Sequence, residues 1–224
     1  YAPENTMAGF RQALEVGVDG LEIDVHLTKD GVVVVCHDVS VDRTTDGTGL
    51  IRDYTYEELR KLDAGSWMSE KYRGERIPRL DEVLELLQGT QVWLNIELKY
   101  GVGLEEKVND LVRSYKMEKR VIISSFDHYR LVRMSEIAPD LPTGILYQGA
   151  LYRPWEYAKM VGAAALHPYF HTLTPEVAAG AKQAGIMINA WTVNEPEDIR
   201  YMLELGVDGI ITNRADLVLE ILGR

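Results

Sequence analysis

Continuous apolar runs, amphipathic helical stretches between them and glycines where helix turns into strand together predict an α/β protein, an eight-fold (β/α) barrel. Seven runs read as principal strands, at 20–25, 92–98, 121–125, 143–147, 163–167, 186–191 and 208–212. A helix over 5–16 precedes the first of them, so the sequence predicts that the first barrel strand lies upstream of Tyr1 and is missing from this chain. The alternative is an open doubly wound sheet, but no GxGxxG turn or P-loop supports a nucleotide crevice.

In chain order, Asn5 or Thr6 can cap the first helix, Met7, Phe10 and Leu14 stripe it, and Gly17 is placed to end it. Lys29-Asp30-Gly31 is a turn signal before the apolar run Val32–Val35, which predicts a hairpin with the end of the preceding strand. The polar, glycine-punctuated stretch that follows begins an excursion of roughly 38–79. It is too long for an ordinary connection and too thin in core residues for a domain of its own, so it reads as an inserted subdomain over one rim. Thr55 caps a short helix there, and Trp67 and Tyr72 are available to pin the excursion to the body. After Pro78 the rhythm is regular: Leu80, Val83, Leu84 and Leu87, then Leu104, Val108, Leu111, Val112 and Tyr115, stripe two helices around the second strand. Further helices are predicted near Leu131–Met134, Tyr152–Met160, Val177–Ala184, from an Asn194 cap to Gly206, and over Leu217–Leu222. The segments Glu15–Leu21 and Glu204–Ile210 echo one another, each a helix end with a glycine leading into a strand.

The 224 residues suit one domain, read as 1–224, and 46% hydrophobic residues allow a substantial core. A net charge of -11 argues against a general nucleic-acid or anionic-membrane surface. No apolar run approaches a membrane span. Cys36 alone cannot form an internal disulfide, which fits a cytoplasmic location without ruling out export.

Two strands carry the chemistry. In Gly20–Val25 the period of two puts Leu21, Ile23 and Val25 on one face and Glu22 and Asp24 on the other. In Asn95–Lys99 the same device sets Ile96 and Leu98 against Asn95, Glu97 and Lys99. Adjacent and parallel, they would gather three carboxylates and an ammonium, an arrangement suited to Mg²⁺ or Ca²⁺ beside an anionic substrate. Neutralising the carboxylates is a structural role open to Lys99 as well, and the two roles are compatible. In a barrel the reacting centre lies at the C-terminal ends of the strands, where Asp127, His167 and Trp191 also fall. His37, followed by Asp38, suits proton transfer near neutrality. His26 lies on the carboxylate face near a turn, His128 and His171 read as surface residues, and Cys36 as a small core residue. Trp191, Phe126 and Trp67 could wall a substrate pocket or simply pack.

The ordered set of motifs resembles the glycerophosphodiester phosphodiesterase family over essentially the whole chain. It comprises Ala2-Pro3-Glu4-Asn5-Thr6, Gly20–Val25, Thr28-Lys29-Asp30-Gly31, His37-Asp38 and Asp42-Arg43-Thr44-Thr45-x-Gly47-x-Gly49. It continues with Ile77-Pro78-x-Leu80-x-Glu82-Val83-Leu84, Asn95–Lys99, Ser125-Phe126-Asp127 and Trp191–Asn194. The resemblance implies a TIM barrel with an insertion between its second and third strands. It implies one divalent cation, Mg²⁺ or Ca²⁺, on Glu22, Asp24 and Glu97, with Lys99 on the family's active-site lysine and His37 as one of a general acid–base pair. The partner histidine belongs to a His-Arg-Gly motif expected just upstream of Ala2. The implied reaction is metal-assisted hydrolysis of glycerophosphodiesters, such as glycerophosphocholine or glycerophosphoethanolamine, to sn-glycerol 3-phosphate and an alcohol. Lysophospholipid cleavage is the alternative substrate class, and a non-catalytic phosphate or metal binder the alternative of a different kind. The expected partner is a small phosphodiester, with self-association left open.

Overall fold

The computed structural model describes residues 1–224, which divide into two compact units, Tyr1–Val121 and Ile122–Arg224. The first begins with α1 (Met7–Val16). Thr6 is its N-cap, accepting from the Gly9 N–H, and Gly17 ends it in the left-handed conformation at φ 88°. The strand β1 (Gly20–Leu27) follows, then β2 (Val33–Val35) and β3 (Trp93–Tyr100). The sheet order here is β2-β1-β3, with β2 antiparallel and β3 parallel to β1. The hairpin predicted from Lys29-Asp30-Gly31 is present. Thr28 Oγ1 donates to Asp30 Oδ1 at 2.6 Å and accepts from Val32 N–H at 2.9 Å, closing the turn. The run Val33–Val35 thus joins the sheet as a strand beyond the seven principal ones counted from sequence.

The segment 38–79 rests on its own apolar cluster. Val34 and Cys36 from β2 and its end pack with Val41, Ile51, Leu59, Ala64 and Ile77. Burial pushes the Cys36 thiol up to about 11, so it is a core residue, as expected, and not a thiolate. The short helix α2 (Tyr56–Leu59) starts where Glu58 accepts from both the N–H and the hydroxyl of Thr55. Trp67 does not pin the segment to the body: it stays 42% exposed and bonds only the nearby Ala64 carbonyl. Tyr72 does reach it, its hydroxyl donating to the Tyr1 carbonyl, and Ile51, Leu59 and Ile77 join it through the cluster shared with Val34 and Cys36. Pro78 and Arg79 close the outer side of β2, where the Val35 N–H donates to the Pro78 carbonyl at 2.8 Å. Two helices, α3 (Leu80–Leu86) and α4 (Leu104–Ser114), fall where their stripes predicted.

The second unit alternates strictly. Its strands β4 (Val121–Ser125, beginning at the boundary), β5 (Thr143–Tyr147), β6 (Ala165–Pro168), β7 (Met187–Ala190) and β8 (Gly209–Ile210) are parallel neighbours in chain order. Between and after them come α5 (His128–Ile137), α6 (Pro154–Val161), α7 (Pro175–Ala184), α8 (Pro196–Leu205) and α9 (Ala215–Ile221). Mostly parallel strands alternating with helices make the fold TIM-barrel-like. Gly206 ends α8 in the left-handed conformation before β8, the same solution as Gly17 before β1, which accounts for the sequence echo.

Two local expectations are corrected. Asn194 does not cap α8; Glu195 does, while Asn194 Oδ1 accepts from Thr212 Oγ1 at 3.1 Å and from Asn213 N–H at 2.9 Å. His128 is not a free surface residue, because its two ring nitrogens bond the Tyr157 hydroxyl at 3.0 Å and the Leu146 carbonyl at 2.8 Å.

Gly65 offers a sensitive test of the inserted segment. Asp63 accepts from the N–H groups of Gly65, Ser66 and Gly74, which fixes the backbone, and a Cβ on Gly65 would overlap the Tyr72 carbonyl oxygen. Gly65→Ala is expected to cost about 1–3 kcal/mol, as overpacking does. Urea unfolding would show it as a lowered midpoint at unchanged slope.

Candidate active site

The register of β1 and β3 assembles the site. Asp24 pairs with Glu97 and Glu22 with Asn95 across the parallel ladder, while Ile23 and Ile96 pair on the opposite face. Ile23, Val25, Leu94, Ile96 and Leu98 are buried, so burial of the apolar face fixes which way the polar residues point. Oxygens of Glu22, Asp24 and Glu97 lie within 4.8 Å of one another. Lys99, at the end of the same face, places Nζ 2.6 Å from Glu97 Oε1 and 3.0 Å from Asp24 Oδ1.

The electrostatics leave the cluster with excess negative charge. With all three carboxylates ionised, one ammonium leaves two negative charges uncompensated in a largely buried group. Glu22 has no ion pair with Lys99 and bears the consequence. Withdrawal from water, then the charges of Asp24 and Glu97, raise its pKa well above the carboxylate range. Glu97 is raised by burial too, with partial relief from Lys99. Burial pulls Lys99 down, but Asp24 and Glu97 outweigh it and its pKa is raised, so it stays charged. Either a proton on Glu22 or a divalent cation among the oxygens can relieve the excess.

The surrounding donors and acceptors fit a cation. Asn5 adopts the left-handed conformation at φ 51°, which asparagine tolerates, and Nδ2 donates to Asp24 Oδ2 at 2.9 Å. Its Oδ1 is buried without a hydrogen-bond partner, as is Asn95 Oδ1 opposite Glu22. Two orphaned acceptors beside three carboxylates suit a hard, oxygen-seeking ion and its water shell.

His37 lies two residues beyond the end of β2, and its neighbour Cys36 donates N–H to the Asp24 carbonyl at 2.9 Å. This bond ties the His37 segment to the strand bearing Asp24. His37 Nδ1 is 2.7 Å from Asp38 Oδ1. Asp38 in turn accepts from Arg43, and those bonds, with a smaller contribution from His37, lower its pKa to about 2. His26 is buried, with Nε2 at 3.5 Å from the His37 carbonyl, and burial lowers its pKa to about 4. It is a neutral strand-end residue.

The remaining candidates lie in the second unit. Phe126 and Trp191 meet edge to face at 5.4 Å, and Trp191 Nε1 donates to the His167 carbonyl at 2.7 Å. His167 is fully buried, pairs with Asn189 Nδ2 at 3.0 Å, and is lowered to about 4 by burial. Asp127 caps α5. Sequence reasoning assigned no role to Glu4 or Arg43 and only a possible helix cap to Asn5, although all three sit inside motifs it singled out. Their partners are 19 to 39 residues away, and only Asp38, five residues from Arg43, is close enough in sequence to suggest a pairing.

Three carboxylates and a lysine on one face of neighbouring parallel strands, in a TIM-barrel-like fold, are a set suited to a divalent cation beside an anionic substrate. The model of the glycerophosphoryl diester phosphodiesterase family matches residues 1–217. A glycerophosphodiester phosphodiesterase of Caldanaerobacter subterraneus subsp. tengcongensis is 47% identical over 98% of this chain and 92% of its own. Among solved structures, a glycerophosphodiester phosphodiesterase of Agrobacterium tumefaciens is 31% identical, with a TM-score of 0.88 over 98% of this chain and 94% of that one. A phosphodiesterase of Oleispira antarctica, solved in complex with the product sn-glycerol-3-phosphate, is 30% identical, with a TM-score of 0.91 over 100% and 92%. The chain belongs to the glycerophosphoryl diester phosphodiesterase family and is a phosphoric diester hydrolase. No helix is long and apolar enough to cross a membrane.

The raised Glu22 pKa has a measurable consequence. A carboxyl whose folded pKa is raised contributes stability at low pH that is lost as pH rises through the raised value. In chelator, the melting temperature of the wild type is expected to fall relative to Glu22→Gln as pH rises above the ordinary carboxylate range, because the Glu22 pKa is raised in the folded protein. Added Mg²⁺ or Ca²⁺ should restore the wild type and leave the variant unchanged. Parallel pH profiles for the two proteins would contradict this account of the site.

Proposed function

We propose that Glu22, Asp24 and Glu97 hold one divalent cation, Mg²⁺ or Ca²⁺, for the hydrolysis of small glycerophosphodiesters such as glycerophosphocholine or glycerophosphoethanolamine. The observation that carries this reading is the convergence of the three carboxylate oxygens within 4.8 Å, with Lys99 bonded to two of the groups. A cation held there by Glu22, Asp24 and Glu97 would compensate the charge on the phosphoryl oxygens. Lys99, held in place by Asp24 and Glu97, presents positive charge to the same oxygens and orients the diester.

His37 serves as general acid or base. Asp38 occupies Nδ1, so Nε2 is the nitrogen that exchanges a proton with the reacting oxygen. Hydrolysis breaks the bond between phosphorus and the alcohol oxygen and forms one to an attacking oxygen. A proton leaves the attacker and another reaches the departing alkoxide, giving sn-glycerol 3-phosphate and the free alcohol. His37 handles one of these two transfers. Phe126 and Trp191 are read as an aromatic wall for substrate, supported by their edge-to-face pairing and by the 48% exposure of Phe126. The chain is read as a single phosphodiesterase domain with residues 38–79 inserted, supported by the separate apolar cluster under that segment. A cytoplasmic setting is the compartment proposed, on the strength of one unpaired, buried cysteine.

The test is release of glycerol 3-phosphate from glycerophosphocholine by the full-length protein, after chelation and after Mg²⁺ or Ca²⁺ is returned. Activity should vanish and recover with the ion. Glu97→Gln should abolish it, and His37→Ala should lower kcat about 10²- to 10⁴-fold. Turnover that survives chelation would refute the metal assignment. Lysophosphatidylcholine assayed beside it separates a small-diester enzyme from a lysophospholipid one.

A further inference from the structure

The His37 side chain is 54% exposed, so packing alone does not hold the ring. Its restraint is polar and runs through four side chains. Nδ1 meets Asp38 Oδ1 at 2.7 Å. Arg43 donates from Nε to Asp38 Oδ2 at 2.7 Å and from Nη2 to Oδ1 at 3.1 Å. The far edge of the same guanidinium donates from Nη1 to Glu4 Oε2 at 2.9 Å and from Nη2 to Oε1 at 2.6 Å. One planar cation therefore grips both oxygens of two carboxylates, a geometry that lysine cannot reproduce.

We propose that Arg43 and Glu4 are positioning residues for His37. The inference rests on the reading of His37 as the general acid or base. Asp38 is a short side chain in a loop and could present its carboxylate in several orientations. The Arg43 fork fixes both of its oxygens, so one faces Nδ1 and keeps the proton on that nitrogen. Glu4 keeps Arg43 from turning into solvent.

Glu4 also connects this chain to the carboxylate cluster. Its neighbour Asn5 donates to Asp24, so two consecutive residues hold the His37 relay at one side and a metal-site carboxylate at the other. A small cavity of about 10 Å³ has Glu4, Asn5, Thr6 and His37 among its lining residues. The segment 4–5 thereby sets the ring against the carboxylates. Exposed ion pairs of this kind contribute little to folding, so removing them should leave the protein folded.

The test compares Glu4→Gln, Arg43→Lys, the double variant and His37→Ala in the full-length protein with glycerophosphocholine at saturating Mg²⁺. Metal affinity is measured by calorimetry and the protonated nitrogen of His37 by its ¹⁵N ring shifts. Each single positioning variant should lower kcat about 10- to 100-fold with KM within about twofold. Metal affinity should be unchanged, and the double variant should be no slower than Arg43→Lys alone, because the residues act as one unit. The Nδ1-protonated population of His37 should fall in all three. Wild-type kcat in Glu4→Gln and Arg43→Lys, with His37→Ala inactive, would overturn the proposal and leave His37 in its role. A raised KM at unchanged kcat in Arg43→Lys, with Glu4→Gln silent, would overturn it by making Arg43 a direct substrate contact. Full activity in His37→Ala would remove the catalytic reading of His37 and this proposal with it.

Discussion

A single ammonium inserted among three carboxylates is the constraint on which the rest of the site depends. Lys99 bridges Asp24 and Glu97, and those two acids sit opposite each other in the β1–β3 ladder. Like charges about 4 Å apart repel by several kcal/mol at the effective dielectric of a protein. Such a group persists only where the backbone cannot relax away from it. The ladder supplies that rigidity: Ile23, Val25, Ile96 and Leu98 are buried on the reverse face, and a slip by one residue would exchange the two faces. Apolar burial on one side of the sheet thus sustains electrostatic strain on the other, and that excess charge is what the proposed divalent ion would offset.

The segment 38–79 extends the same logic to the surface. Its apolar cluster with Val34 and Cys36 anchors the strand end from which His37 projects. The ring itself stands in water, where hydrophobic packing has no purchase, and its placement falls to charged hydrogen bonds among Asp38, Arg43 and Glu4. Buried apolar contacts position the backbone, and exposed ionic contacts aim the side chain. Each is used where its physics is effective.

The second unit shows how regular the alternation becomes where no inserted segment interrupts it. Glycines in the left-handed conformation end α6, α7 and α8, since a side chain there would meet its own carbonyl. His167 is neutral inside this unit, stripped of solvent and paired with Asn189. Its position at a strand end drew attention in the sequence, yet burial gives it no exposed nitrogen. A strand-end histidine is therefore informative only together with its solvent access.

The sequence by itself determined the alternation of strands and helices, the faces of β1 and β3, and the acidic set Glu22, Asp24 and Glu97. These follow from periods of two and of 3.6, which are local properties. The family, too, was legible in the ordered motifs. Only the tertiary structure decided that Lys99 bonds two of the acids, that Asn5 reaches Asp24, and that Arg43 joins Asp38 to Glu4. Those contacts span up to 39 residues, and no local pattern encodes which distant side chains will meet. It likewise decided that Asn194 ties two loops and that His128 is held at both nitrogens. Hydropathy and turn propensity mark a side chain as polar or turn-forming without naming its partner, so partners are fixed only when the packed backbone brings particular donors and acceptors within reach.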